Sequence, residues 1–70
     1  MAYKLMLRPL RTEKGLGQRA VADGIGVTPG AVAQWELGLS NPSLSNLLAL
    51  AELLHCSLDQ LLVRDEQTPA

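Results

Sequence analysis

Proline and glycine recur along this chain and divide it into short segments that repeat apolar residues at helical spacing. Proline interrupts a helix because it lacks an N–H group and clashes with the preceding turn, and glycine is favoured where a helix ends. The segments show neither an internal repeat nor a low-complexity tract. This pattern is typical of a compact helical bundle.

The small size of the chain demands an efficient core. A chain of 70 residues forms one small domain, which buries roughly 60% of the surface that its unfolded form exposes. Hydrophobic residues make up 47% of the sequence, but only Tyr3 and Trp35 are aromatic. Aliphatic side chains must therefore supply nearly all of the buried area, and this favours tightly packed helices.

Two short helices are predicted in the middle of the chain, over residues 18–25 and 29–37. Gly26 ends the first because glycine adopts the left-handed conformation without strain. Thr28 is a good N-cap for the second, and the proline after it occupies the first helical position, where its missing N–H group costs nothing. Ala22 is small enough to let the two helices cross closely. The apolar residues between them are Val21, Ile25, Val27, Val32 and Trp35.

Two further helices are predicted nearer the C-terminus. Ser43 opens the first of them, and Ser57 opens the second, where Gln60 completes a capping box. The apolar face expected for the first consists of Leu44, Leu47, Leu48, Ala51 and Leu54. The apolar residues of the second are Leu58, Leu61 and Leu62.

The N-terminal segment is governed by Pro9, which stands among residues of helical character. A proline inside a helix costs about 3 kcal/mol, so either a helix begins at Pro9 or a longer helix is kinked there. We favour the later start, which leaves residues 2–8 free to form a short strand. In such a strand Tyr3, Leu5 and Leu7 alternate onto one face.

The chain is expected to divide into an N-terminal arm or short strand at residues 1–8, a helical domain at 9–63 and a flexible tail at 64–70, because the last residues are polar and lack apolar periodicity. No apolar run approaches the roughly 20 residues that span a bilayer, and the start lacks the pattern of a signal peptide. We therefore expect a cytoplasmic protein without a membrane contact.

Metal binding and catalysis are not expected. Cys56 is the single cysteine and His55 the single histidine, so the sequence offers neither a disulfide nor a closed His/Cys metal site. We expect Cys56 to be half-buried after a helix, and His55 to lie at the C-terminal end of that helix. The sequence shows no nucleophile with a base and no phosphate-binding loop, so the chain is not expected to be an enzyme.

Five stretches of the sequence, in this order, carry a family pattern: residues 10–18 (LRTEKGLGQ), 26–28 (GVT), 34–38 (QWELG), 41–43 (NPS) and 57–62 (SLDQLL). Together they resemble the Cro and phage-repressor type (XRE-like) helix-turn-helix DNA-binding domain. Each stretch alone is common, but their order and spacing are specific. The resemblance covers about residues 7–62 and implies an all-α, five-helix, lambda-repressor-like bundle without a cofactor.

The resemblance also implies roles for particular residues. Gln18 matches a glutamine that hydrogen-bonds a backbone phosphate at a helix N-terminus. Arg11 and Glu36 match a partly buried ion pair that ties the first helix to the recognition helix. The recognition helix is residues 29–37, whose N-terminal half enters the major groove. The residues expected to face DNA are Lys14, Gln18, Arg19, Thr28, Pro29, Gly30, Ala33, Gln34 and Asn41.

The expected base-reading surface is sparse, because Gln34 is the one long hydrogen-bonding side chain on the outward face of the recognition helix. Gln34 suits an adenine edge, and Pro29, Gly30 or Ala33 suit thymine methyl groups. The alternative is a recognition helix that has lost contact with DNA.

The charge of the chain is unevenly distributed. The formal net charge is −1, whereas domains that hold phosphate are usually basic. Up to Trp35 the chain has five basic and two acidic residues, and after it one basic and five acidic residues. The basic half coincides with the expected DNA-facing half, so we expect modest affinity that salt readily weakens.

These observations favour a sequence-specific regulator of transcription that binds double-stranded DNA, a repressor of phage, prophage or toxin–antitoxin type. It is expected to bind a palindromic operator as a homodimer, because one short helix reads few bases. Either the C-terminal leucines, Leu58 and Leu62, or the N-terminal segment could form the dimer contact. The alternative is an antitoxin-like interaction module that binds a protein such as a toxin, and the acidic charge balance is its main support.

Overall fold

The computed structural model describes residues 3–64, which form five helices and one two-stranded sheet. The elements, in chain order, are β1 (Tyr3–Leu5), α1 (Leu7–Glu13), α2 (Gln18–Ile25), α3 (Pro29–Leu37), α4 (Leu44–Leu53), α5 (Leu58–Leu61) and β2 (Leu62–Arg64). The predicted bundle of five helices is confirmed, and the two-stranded sheet adds to it.

The two middle helices have the predicted bounds, and their ends have the predicted chemistry. Gly26 follows α2 in the left-handed conformation, with φ of +78°. The Thr28 side chain accepts a hydrogen bond from the Ala31 N–H group and so caps α3. Val32 and Trp35, the predicted inner face of α3, are buried. The sequence therefore specified this helix-turn-helix locally, through its caps and its glycine.

The close approach of α2 to α4 depends on Gly24, a residue that the sequence reasoning did not single out. A Cβ atom at Gly24 would lie 3.0 Å from Leu53 Cδ1 of α4, which is closer than ordinary packing allows. Ala22, which we expected to permit the crossing of α2 and α3, is fully buried. Of these two small residues in α2, Gly24 thus lies against α4 and Ala22 lies in the core.

The helix α4 confirms its predicted start but presents a different apolar face. Ser43 caps the helix by accepting a hydrogen bond from the Asn46 N–H group. The buried residues in and after α4 are Leu50, Ala51 and Leu54, with Leu47 half-buried. Leu44 and Leu48 were expected inside, but they are 68% and 49% exposed. The cause is that leucine occupies positions on two overlapping stripes of this helix, and spacing alone does not tell which stripe faces the core.

The predicted capping box of α5 is confirmed, because Ser57 and Gln60 exchange side-chain and backbone hydrogen bonds. Cys56 is half-buried after α4, as expected. His55 lies just past the end of α4, exposed and in the left-handed conformation with φ of +52°. Leu61 of α5 is fully buried, whereas Leu58 is partly buried against the core.

The first helix begins at Leu7, so the preferred start at Pro9 is wrong. Pro9 is the third residue of α1, and the first turn of a helix has N–H groups without an intrahelical partner, so a proline there removes no hydrogen bond. Leu7 and Arg8 are helical, and the extended segment is accordingly shorter than residues 2–8. Leu7 is fully buried, which explains the earlier start.

The predicted N-terminal strand exists over Tyr3–Leu5, and it pairs antiparallel with β2 of the same chain. The N–H group of Met6 also donates to the Leu61 carbonyl at 2.7 Å. Arg64 therefore belongs to the folded domain and not to a tail. The rest of the predicted tail, residues 65–70, and the first two residues of the predicted arm lie outside the described residues.

Glycine substitutions test this description of the helix-turn-helix. Gly30→Ala is expected to stabilise the domain by about 0.5–1 kcal/mol, because alanine favours the helix and an added Cβ meets nothing closer than the Thr28 hydroxyl at 3.9 Å. Gly26→Ala is expected to destabilise it by about 1–2 kcal/mol, because φ there is +78°. Urea denaturation of both variants measures the difference, and equal midpoints would contradict the assigned turn.

Candidate nucleic-acid interface

Arg11 of α1 and Glu36 of α3 form a bidentate ion pair between elements far apart in sequence. Arg11 Nε donates to Glu36 Oε2 at 2.6 Å, and Nη2 donates to Oε1 at 3.0 Å. Their side chains are only 10% and 6% exposed. Two parallel, charge-assisted hydrogen bonds fix both distance and orientation, so α3 is held in a defined position against α1. The ion pair implied by the family resemblance is thus present in the structure.

Two further groups complete this cluster of buried polar atoms. Arg11 Nη1 donates to the Leu16 carbonyl at 3.2 Å, in the turn before α2. Gln18 Nε2, in the first turn of α2, donates to Glu36 Oε1 at 2.9 Å. No buried side-chain nitrogen or oxygen of the described residues lacks a hydrogen-bond partner. Arg11, Leu16, Gln18 and Glu36 form what we name the Arg11 cluster, which joins α1, α2 and α3.

The Arg11 cluster lowers the pKa of Glu36 below its ordinary value of 4.5. Burial alone raises the pKa of this carboxyl group, but the hydrogen bonds from Arg11 and Gln18 and the charge of Arg11 outweigh that effect. The same hydrogen bond raises the pKa of Arg11. Both side chains therefore stay charged at neutral pH. Each buried charge is tolerated because the opposite charge lies beside it.

The outward face of α3 carries most of the residues that were expected to contact bases. Thr28, Pro29, Gly30 and Gln34 are exposed, and Ala33 is half-buried. The face has no charged group, because Glu36 is turned into the Arg11 cluster. It therefore offers a smooth, mostly apolar surface with one amide, which suits methyl groups and a single hydrogen-bonding base edge.

A hydroxyl group in the loop after α3 lies beside the amide of Gln34. Ser40 Oγ donates to Gln34 Oε1 at 3.5 Å, a long hydrogen bond at an exposed site. Ser40 was not among the residues predicted for this surface. No sequence signal indicates Ser40, because the path of the loop between α3 and α4 decides which of its hydroxyl groups lies near Gln34.

The expected phosphate-facing residues lie on α1 and α2, beside the recognition helix. Lys14, the residue after α1, and Arg19 of α2 are exposed, and Gln18 is half-buried. The N-cap residue before α2 is Gly17, which has no side chain to cap the helix. The first N–H groups of such a helix are free to bind an anion. Gln18 thus lies at the N-terminus of α2 and also donates a hydrogen bond to Glu36.

Asn41 stands apart from the other predicted residues. It is exposed in the loop between α3 and α4 and lines a cavity of about 290 Å³. The other residues lining this cavity are Tyr3, Leu5, Pro42, Leu47 and Leu62. The structure therefore places Asn41 next to the two-stranded sheet as well as near the end of the recognition helix.

Within residues 3–64, no three His, Cys, Asp or Glu side chains form a group that could hold a metal ion. In that same part of the chain, no helix has the length and apolar character needed to cross a membrane.

The fold and the Arg11 cluster define a class of small helical domain, in which α2 and α3 cross and a buried ion pair holds α3 against α1. The chain belongs to the helix-turn-helix family, whose profile matches residues 7–61. The boundaries of the match coincide with the start of α1 and the end of α5.

Relatives of this chain are named as regulators. Repressor protein C2 of Salmonella phage P22 is 39% identical over 59 residues, which are 84% of this chain and 27% of that protein. The HTH-type transcriptional regulator DicA of Escherichia coli (strain K12) is 41% identical over 49 residues, which are 70% of this chain and 36% of DicA. The chain thus spans well under half of the length of these relatives.

A solved structure matches the fold over nearly the whole chain. It is the crystal structure of the P22 c2 repressor protein in complex with the synthetic operator 9T. The similarity has a TM-score of 0.78 at 38% sequence identity, and it covers 89% of this chain and 98% of that chain. The predicted family and its fold are therefore confirmed.

Removing one member of the ion pair tests the Arg11 cluster. Arg11→Ala is expected to destabilise the domain by about 3 kcal/mol, because Glu36 is left buried without its partner. The double variant Arg11→Met with Glu36→Leu should recover most of that loss, because it buries no charge. Urea denaturation measures both. A double variant as unstable as Arg11→Ala would contradict the role assigned to the pair.

The lowered pKa of Glu36 predicts how stability depends on pH. The ionised pair contributes fully above the ordinary pKa of 4.5, and the contribution is lost as the pH falls through the lower pKa of the folded state. Glu36→Gln should therefore lose less stability than the parent protein between about pH 5 and about pH 2. Asp23→Asn, at an exposed residue of α2, is the matched control. Equal losses in parent and Glu36→Gln proteins would refute the assignment.

Proposed function

We propose that this chain is a sequence-specific, double-stranded DNA-binding regulator of transcription, acting as a repressor of phage, prophage or toxin–antitoxin type. The observation that carries the proposal is the uncharged outward face of α3, held in position by the Arg11 cluster. It represses by occupying an operator and excluding polymerase. Similarity to a repressor that is bound to a synthetic operator supports the DNA ligand.

Base reading is assigned to the N-terminal half of α3. Gln34 contacts an adenine edge with its amide, which both donates and accepts. Pro29, Gly30 and Ala33 contact thymine methyl groups, and Thr28 lies at the start of the helix. This assignment fits the outward face of α3, because a largely apolar helix face distinguishes bases by contacts with methyl groups and by the hydrogen bonds of one amide.

Backbone contacts are assigned to the basic side of the domain. Arg19 and Lys14 neutralise phosphates, and the uncapped N-terminus of α2 with Gln18 hydrogen-bonds another. Gln18 also donates to the carboxylate of Glu36 in α3. The residue that contacts the phosphate is therefore hydrogen-bonded to the recognition helix. Asn41 is assigned a supporting contact from the loop after α3.

The chain works as a homodimer on a palindromic operator in the cytoplasm, without a cofactor or catalytic activity of its own. One α3 covers too few bases to specify a site, so two copies contact half-sites about one helical turn apart, roughly 34 Å. Selection of bound sequences from a random duplex pool tests this proposal. We expect enrichment of a palindrome, whereas recovery of unrelated sequences would leave the chain as a protein-interaction module.

Substitutions at α3 and α2 are expected to impair binding in different ways. Gln34→Ala should cost about 1–3 kcal/mol on the selected operator and much less on random DNA, because it removes a contact to one base. Arg19→Ala should weaken both duplexes alike and reduce the slope of log affinity against log salt by about one unit. Fluorescence anisotropy titrations at several salt concentrations measure both effects.

Gln18→Ala is the control that separates charge from hydrogen bonding. It should weaken both duplexes alike with an unchanged salt slope, because an uncharged side chain releases no counterion. Circular dichroism must show that each variant is folded. A Gln34→Ala protein that keeps the parent preference among sequences would show that α3 does not read bases through this residue.

A further inference from the structure

The orientation of the Gln34 amide decides what the outward face of α3 can read. Gln34 is exposed, and its amide donates from Nε2 and accepts at Oε1, so a half-turn of the amide exchanges donor and acceptor. An adenine edge is read by donating to N7 and accepting from N6, whereas guanine presents acceptors at both N7 and O6. The preference for adenine therefore depends on which end of the amide faces which base atom.

The backbone after α3 turns back onto Gln34. Gly38 follows α3 in the left-handed conformation, with φ of +77°. The Leu39 N–H group then donates to the Gln34 carbonyl at 2.9 Å, which is the pattern of a helix end that closes on a glycine. Ser40 is the next residue, so this turn places it one position beyond a hydrogen bond to the Gln34 backbone.

The Ser40 hydroxyl group makes a second contact with the same residue. Ser40 Oγ donates to Gln34 Oε1 at 3.5 Å, and Ser40 is half-buried. The length of this hydrogen bond makes it weak, so the hydroxyl group favours one orientation of the amide without locking it. Because a carbonyl oxygen has two lone pairs, Oε1 can still accept a hydrogen bond from a base.

We infer that Ser40 is a positioning residue, whose hydroxyl group holds the Gln34 amide in the orientation that prefers adenine to guanine. The inference deepens the proposed function, since it rests on the adenine contact proposed there. A side chain that is already held in its bound orientation loses less conformational entropy on binding. The opposite orientation places the Nε2 donor against the adenine N6 donor, and this removes the preference for adenine.

The test is a double-mutant cycle of Ser40→Ala and Gln34→Ala, measured by fluorescence anisotropy. One duplex is the selected operator, and the other has a G·C pair in place of the A·T pair whose preference is lost in Gln34→Ala. Ser40→Ala should weaken binding to the operator about two- to tenfold and binding to the G·C duplex much less. In the Gln34→Ala background, Ser40→Ala should change neither constant, because the amide that it positions is gone.

Two matched variants control for the hydroxyl group and for its location. Ser40→Thr keeps the hydroxyl group and should restore the parent preference for adenine. Ser45→Ala removes a hydroxyl group from an exposed residue of α4 and should leave that preference unchanged. Circular dichroism and the urea midpoint are expected to match those of the parent protein in all three single variants, because none of the substituted serines is buried.

The mobility of the Gln34 amide provides a measurement without DNA. By NMR relaxation of isotope-labelled protein, the order parameter of the Gln34 Nε2 group should be lower in Ser40→Ala than in the parent and Ser40→Thr proteins. The backbone order of α3 should be the same in all three, whereas a merely structural role of Ser40 would change it. Equal order of the amide in parent and Ser40→Ala proteins would overturn the inference and leave the proposed function intact.

The binding data separate this inference from the proposed function. A loss of affinity that persists in the Gln34→Ala background would show that Ser40 contacts DNA itself, and it would overturn the inference alone. A Ser40→Ala protein that keeps the parent preference for adenine over guanine would do the same. A parent chain that selects no sequence would overturn the proposed function, and with it the base contact that Ser40 is inferred to position.

Discussion

The position of α3, and with it the candidate interface, depends on the ion pair between Arg11 and Glu36. The Arg11 guanidinium group donates to three hydrogen-bond acceptors in two other parts of the chain. All three hydrogen bonds can form together in essentially one arrangement. The pair therefore acts less as a source of stability than as a determinant of orientation. In a domain with few aromatic side chains, aliphatic packing alone would permit α3 to shift along its neighbours, and a polar contact with strict geometry removes that freedom.

The sequence predicted the elements best where local chemistry decides. The bounds of α2 and α3 follow from Gly26 and the Thr28 cap, and α5 follows from its capping box. Prediction was weaker where more than one structure is compatible with the same sequence pattern. Pro9 fits the first turn of a helix at more than one position, so only the burial of Leu7 fixes the start of α1. The abundance of leucine in α4 likewise left its buried stripe undecided.

The candidate interface shows the same division between local and tertiary information. The family pattern identified Arg11, Gln18 and Glu36 by position, but it did not indicate that Gln18 donates to Glu36, because that contact depends on how α2 crosses α3. Ser40 and the Asn41–Pro42 cavity wall depend on the path of a loop. Side chains on regular helices could thus be assigned from spacing, whereas neighbours across loops could not.

The pairing of β1 with β2 joins the two ends of the described chain, and this has a consequence for the order of folding. Contacts between residues distant in sequence form late, because closing a long loop costs conformational entropy before the contact can stabilise the chain. During synthesis, Tyr3–Leu5 must wait for Leu62–Arg64 to leave the ribosome, although the helices between them have short-range contacts available earlier. The sheet therefore completes the domain after its helices have assembled, and until then the edge of β1 is open to pairing with another strand.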